Sequence, residues 1–154
     1  MTTLIEDIGA FSAQLAKGLA PRGYRLDFTP RSFWEVERFF AENMSAPGAP
    51  TKTGHLNRDL GKWMFGFGAY IGEVIRETLD ADWITDDSDL EGEINIRLRL
   101  PDGAIIWPVQ RVMKRYGQGL EDGDIVGYAV ALGLDVGPNP APLDAPKKRR
   151  FGRS

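Results

Sequence analysis

The chain has 154 residues, 42% hydrophobic and 27% charged, with a formal charge of −3, one histidine and no cysteine. A chain of this length suits one globular domain that buries roughly two-thirds of its extended surface. The composition excludes a disulfide frame, a thiolate nucleophile and Cys-based zinc or iron–sulfur sites, and a single histidine cannot build a His-rich metal centre.

Charge is unevenly spread. Residues 144–154 hold five Lys/Arg and one Asp, which leaves 14 bases against 21 acids, or −7, in residues 1–143. Partners meet local surfaces and not averages, so the acidic body and the basic tail are read separately. No basic n-region precedes the apolar residues of MTTLIEDIGAFSAQL, and Glu6 and Asp7 interrupt them, so no secretory signal is expected. The longest uncharged apolar run, Trp63 to Gly72, is about half of the roughly 20 residues a membrane-crossing helix needs. The expected setting is cytoplasmic, with no membrane partner.

Leu4, Ile8, Phe11, Leu15 and Leu19 recur at helical spacing and predict a helix over 4–19, with Thr3 and Glu6 as a capping box and Pro21 and Gly23 ending it. A short extended piece, residues 24–28, leads to Thr29-Pro30, a favoured N-cap followed by a proline suited to a first helical turn. Phe33, Val36, Phe39 and Phe40 then form the inward face of a second helix ending near Asn43. Residues 44–57 carry prolines, glycines and small polar residues without periodicity and read as a mobile loop. His55, at its end, is expected to be exposed or to cap the next helix, since no serine or cysteine partner lies near it in a catalytic pattern.

A third helix over 59–79 is apolar most of the way round, as for a helix covered on several sides. Gly61, Gly68 and Gly72 fall close to one line on it. Each costs about 1 kcal/mol relative to alanine, which is best offset by the close approach of a sheet or another helix. Residues 80–84 predict a strand holding Trp83. The acidic stretch Asp86 to Glu93 reads as a solvated loop that lacks the order of a calcium loop. Ile94, Ile96, Leu98 and Leu100 alternate with polar residues and predict a strand, hairpin-paired through Pro101-Asp102-Gly103 to residues 104–107. Pro108 stops that strand. A fourth helix is expected over 109–116 and a fifth from about Glu121-Asp122, carrying Ile125, Val126, Ala129 and Leu132. The fold class is therefore α+β, a central glycine-bearing helix and flanking helices on a small antiparallel sheet over residues 1–136. Residues 137–154 read as a Pro-rich linker, with no means of packing, and a disordered basic tail.

Leu26-Asp27-Phe28-Thr29-Pro30 with Ser32, the run Gly68-Ala69-Tyr70-Ile71-Gly72-Glu73-Val74-Ile75-Arg76, Trp83, Pro108-x-x-x-Val112-x-Lys114-Arg115 and Gly119-x-Glu121-Asp122 occur in that order. Over residues 24–132 this pattern resembles a group of small bacterial domains of unknown function. The resemblance implies a small α+β fold and a cytoplasmic bacterial setting, and no activity. Related short domains sit beside toxin systems as immunity proteins, an analogy at the level of fold. The first helix, residues 44–57 and the basic tail depart from the pattern.

Glu73 lies inside the most apolar helix, where a carboxylate must be paired, protonated or near the surface. The expectation is a structural ion pair, with Arg115 or Arg111 as partner and Arg76 as the alternative; an acid or base in a cleft is the rival reading. Gly68, Gly72, Trp83, Pro108 and Arg115 are read as structural. Trp34, Trp63 and Trp83 are expected in core or rim packing, and Trp107 is expected to be the most exposed tryptophan. Arg97 and Arg99, with Arg111 and Lys114, are read as a solvated face that could also hold a phosphate or an acidic partner. Glu121, Asp122 and Asp124 are explained by helix capping without a metal, and no cofactor is expected. Lys147, Lys148, Arg149 and Arg150 could give salt-sensitive, sequence-independent nucleic-acid binding through residues 147–153. The preferred function is a non-catalytic protein-binding module, an immunity-type neutraliser of a basic toxin fitting the acidic body. A small hydrolase or transferase using Glu73 and an accessory nucleic-acid binder are the alternatives.

Overall fold

The stripe of Leu4, Ile8 and Leu19 forms the buried edge of α1 (Leu4–Leu19), whose Thr3 and Glu6 make both hydrogen bonds of a capping box. The computed structural model describes residues 2–140, apart from the side chain of Asp122, and the fold is α+β. The basic tail expected at its end lies outside the described residues. Helix α2 is Phe33–Asn43, α3 is Leu60–Leu79, α4 is Pro108–Gly123 and α5 is Ile125–Ala131. β1 (Met44–Ala46) pairs with β2 (Ala49–Pro50), and β3 (Asp82–Ile84), β4 (Arg97–Arg99) and β5 (Ile105–Ile106) form an antiparallel sheet in the order β3-β4-β5. No helix among the described residues is long and apolar enough to cross a membrane.

α3 is the centre. At 1.5 Å per residue it is about 30 Å long, and its buried positions from Met64 to Ile75 go round the helix. α1 covers one side, where Phe11 meets Phe65 edge-on at 5.2 Å between ring centroids. α2 covers another, with Phe39 and Phe40 both packed on Phe67. The glycine line works as the composition predicts at two of its three positions. A Cβ at Gly68 would come within 2.7 Å of Val109 Cα, and one at Gly72 within 2.6 Å of the Trp83 ring and 3.2 Å of Pro108. Gly61 has open space above it. The start of α4 and the β3 tryptophan therefore lie directly on the helix, and the inward row of the sheet, Trp83–Leu98–Ile106, follows from the antiparallel register.

The segment carrying Leu26 to Ser32 is fixed to α3 by a hydrogen-bond chain. The Phe28 N–H donates to the Tyr70 hydroxyl at 2.8 Å, Tyr70 and Ser32 hydroxyls are 2.5 Å apart, and Ser32 donates to the Thr29 carbonyl at 2.7 Å. Since the Ser32 proton is committed to Thr29, Tyr70 donates to Ser32. Burial pushes the Tyr70 hydroxyl up to about 12, so the chain keeps its protons through the neutral range.

Several local expectations are corrected. Thr29 does not cap α2; its hydroxyl donates to Asp27, and a 3-10 turn over Pro30–Ser32 precedes the helix. The 44–57 segment is tethered, not loose. It contains the β1–β2 hairpin, the Gly48 N–H donates to the Tyr116 carbonyl at 2.8 Å, and the His55 N–H donates to Asn43 Oδ1 at 2.9 Å. The Asn57 amide reaches the carbonyls of Thr51, Lys52 and Gly54. Side-chain amides thus replace the apolar periodicity that the segment lacks. Ile94 is 37% exposed and belongs to a turn closed on the Glu91 carbonyl, so β4 starts three residues later. Gly119, at φ 83° and ψ −172°, is non-helical and breaks the Pro108–Gly123 segment at a kink; the helix before it runs past Tyr116, and the fifth helix begins at Ile125 rather than near Glu121-Asp122. Gly137 is packed: Trp34 Nε1 donates to the carbonyls of Val136 and Gly137 at 3.0 and 3.2 Å, which anchors the start of the linker on α2.

His55 is half-buried against Phe39 and Trp63, with the Arg22 guanidinium at 2.5 and 2.9 Å from its two ring nitrogens. Burial, then the Arg22 charge, holds its pKa below the ordinary 6.5. A histidine depressed in the folded state favours folding above its unfolded pKa and withdraws that stability as pH falls through the folded value. Wild type should therefore lose more stability than His55→Gln between about pH 7 and 5, measured by urea unfolding at each pH.

Candidate functional site

Arg111 and Lys114 stand three residues apart on α4, and Trp107 is extended ahead of that helix. With Ile105, Gln110 and Tyr128 they line an open groove between the sheet edge and α5. Trp107 is 42% exposed, as its place beside Pro108 predicts. The Arg111 guanidinium lies 4.2 Å from the Tyr128 ring centroid. Stacking on the ring face positions the cation without using its N–H donors. Burial raises the Tyr128 pKa and the Arg111 charge opposes that rise, so the phenol is neutral beside the cation. Among the described residues neither Arg111 nor Lys114 enters a salt bridge. No Asp or Glu lines this groove, although carboxylates outnumber bases by 21 to 14 over residues 1–143.

The four expected basic-patch residues are thus only partly brought together. Arg99 lies opposite Ile105 across β4–β5, next to the groove. Arg97 lies two residues back on the same face of β4, opposite Ile84 of β3, and its charge adds to the Ser88 hydrogen bonds that hold the Asp86 carboxyl below its ordinary range. Lys147, Lys148, Arg149 and Arg150 lie outside the described residues, and so does the side chain of Asp122. Among the described residues no three His, Cys, Asp or Glu side chains are grouped to hold a metal ion.

Glu73 does not meet Arg115 or Arg111. Its carboxylate accepts from Arg76 Nε and Nη2 at 3.1 Å each and from Trp83 Nε1 at 2.6 Å. The reason is local: Arg76 lies one turn ahead, and Trp83, drawn onto Gly72, brings its indole N–H over the same turn. Arg115 instead pairs with Glu37, a residue the sequence reading passed over. Arg115 Nε donates to Glu37 Oε1 at 2.8 Å, the Ile125 N–H donates to Oε2 at 2.5 Å, and the two side chains are 6% and 2% exposed. One carboxylate thereby joins α2, α4 and the first turn of α5. A signal for it was present, since Glu37 stands four residues after Phe33 and three before Phe40, on the apolar face of α2. Burial pushes the Glu37 pKa up, against the Arg115 charge and the hydrogen bonds from Arg115 and Ile125.

Comparison of the chain with protein-family models, with curated proteins and with solved structures returns no match.

Proposed function

We propose that the protein is a non-catalytic binding module whose groove at Trp107, Arg111, Lys114 and Tyr128 takes an acidic segment of a protein partner. The observation that carries this reading is a cationic, aromatic groove without a carboxylate in an acidic body. Exposed Trp and Arg are the residue types that concentrate binding energy at interfaces, and unpaired cations steer acidic partners. The net charge of the body would favour a basic toxin, as in an immunity protein; the local surface at the groove favours the opposite charge. Glu73 supports the same division of roles, because its hydrogen bonds to Arg76 and Trp83 fit a structural residue.

A photo-crosslinking amino acid at position 107 tests this in cells, with the same group at Val130, 54% exposed on α5, as the control. One discrete protein adduct is expected from position 107, its crosslinked peptide richer in Asp and Glu than in Lys and Arg. The double variant Arg111→Glu, Lys114→Glu should reduce its yield by about tenfold or more. Identical adducts from both positions, a basic crosslinked peptide or a nucleic-acid adduct would each overturn the proposal.

A further inference from the structure

The buried Glu37–Arg115 pair lies at one end of a cleft of about 290 Å³ between α2, the tip of the β1–β2 hairpin and the bend of α4 at Gly119. Both members of the pair line it, and so do Phe40, Met44, Pro47 and Leu120. The guanidinium is fixed from two sides. Its Nε is bound to Glu37, and its central carbon lies 5.2 Å from the Phe40 ring centroid. Among the described residues, its only hydrogen bond is the one from Nε, and neither terminal amino group makes one. A buried guanidinium normally has its N–H donors satisfied by protein, solvent or ligand, so donors without a protein partner that line a cleft are available to a ligand. Here four such donors belong to a residue only 5% exposed.

We propose that this cleft binds a small monocarboxylate with an apolar body, the carboxylate received by the two terminal amino groups of Arg115. The fork of two parallel N–H donors matches the two oxygens of a carboxylate, and Nε, already committed, leaves the outer edge as the available face. Phe40, Met44, Pro47 and Leu120 supply apolar walls for the rest of the ligand. The volume is near the lower end of the roughly 300–1,000 Å³ found for ligand pockets, which restricts the ligand to metabolite size. Charge narrows the class further. Glu37 balances Arg115, and Glu121 adds a carboxylate to the lining, so a phosphate dianion meets repulsion that a monoanion meets less.

Sodium benzoate, benzamide and inorganic phosphate are the probes, followed on the full chain by amide and arginine Nε–H NMR. Benzoate should shift Phe40, Leu120 and the Arg115 Nε–H saturably, and benzamide of the same shape should bind about tenfold more weakly or worse, lacking the charge-assisted pair. Arg115 variants are expected to lose stability, so the site is blocked instead at Ala41, an exposed α2 residue that lines the cleft. Ala41→Phe should weaken benzoate by about tenfold or more while leaving the urea midpoint in place. No saturable shift up to about 50 mM benzoate, far weaker than a millimolar site, would overturn the proposal. So would benzamide or phosphate binding as well as benzoate, or an Ala41→Phe variant that binds benzoate unchanged.

Discussion

Arg115→Met, with Glu37 left in place, should destabilise the protein by about 3–5 kcal/mol, because it strands a buried carboxylate without its counter-charge. Urea unfolding would show this as a midpoint lower by more than about 1 M. The reciprocal change is not symmetric. Glu37→Leu removes the acceptor for the Ile125 N–H as well as the partner of Arg115, so the first turn of α5 loses its anchor along with the charge balance. Glu37→Gln keeps an oxygen for Ile125. The double variant Glu37→Gln, Arg115→Met should therefore recover more than half of the loss of Arg115→Met, a coupling that the double-mutant cycle reads directly. A double variant as unstable as the sum of the two single variants would show that the pair does not act as a unit.

The same pair sets a pH dependence whose direction follows from burial. The folded-state pKa of Glu37 is raised above its ordinary value, so its contribution to stability is fully present below the unfolded carboxyl pKa and is lost as pH rises through the folded value. The stability gap between wild type and Glu37→Gln should accordingly be largest at acid pH and shrink above the ordinary carboxylate range. This slope is opposite to that of His55, which withdraws stability on acidification.

Periodicity carried most of the architecture. The stripe of α1, the inward phenylalanines of α2 and the all-round burial of α3 are hydrophobic patterns, and burial of apolar area is what decides helix faces. The basic side of the groove was legible as residue types, because Arg111 and Lys114 stand three residues apart on one helix; its aromatic side was not, because Trp107 is extended ahead of that helix and Tyr128 arrives from another element. The Glu37–Arg115 pair joins residues 78 positions apart, and spacing along one chain says nothing about such a contact. Glu73 drew attention for its apolar surroundings, yet a local partner at i+3 satisfied it. The 44–57 segment misled for a related reason: its order comes from Asn43, Asn57 and the Tyr116 carbonyl, single polar contacts that leave no periodic trace.

The glycines of α3 give the sharpest separation between propensity and packing, and four substitutions by alanine are expected to sort into two groups. Alanine should stabilise a helical position that has room for its methyl group by up to about 1 kcal/mol over glycine. Gly61 has nothing within 4 Å of its Cβ direction, and Gly66 meets only Leu15 Cδ1 at 3.8 Å, an ordinary contact. Gly61→Ala and Gly66→Ala should therefore raise the midpoint or leave it unchanged. At Gly68 the methyl group would meet Val109 Cα at 2.7 Å and its backbone nitrogen at 2.9 Å, and backbone cannot rotate away. At Gly72 it would press on the Trp83 ring, which is held by its hydrogen bond to Glu73. Each of these two changes should cost about 3 kcal/mol, the upper part of the usual range for overpacking, after the propensity gain is overcome. The effect extends to the groove, because Val109 follows Trp107 and Pro108 at the start of α4. Where Gly68→Ala still folds, the Trp107 fluorescence environment and the crosslinking yield from position 107 should change together, whereas Gly61→Ala should alter neither. A Gly68→Ala protein as stable as wild type, with an unshifted groove, would mean that α3 and α4 do not approach closely enough to need a glycine.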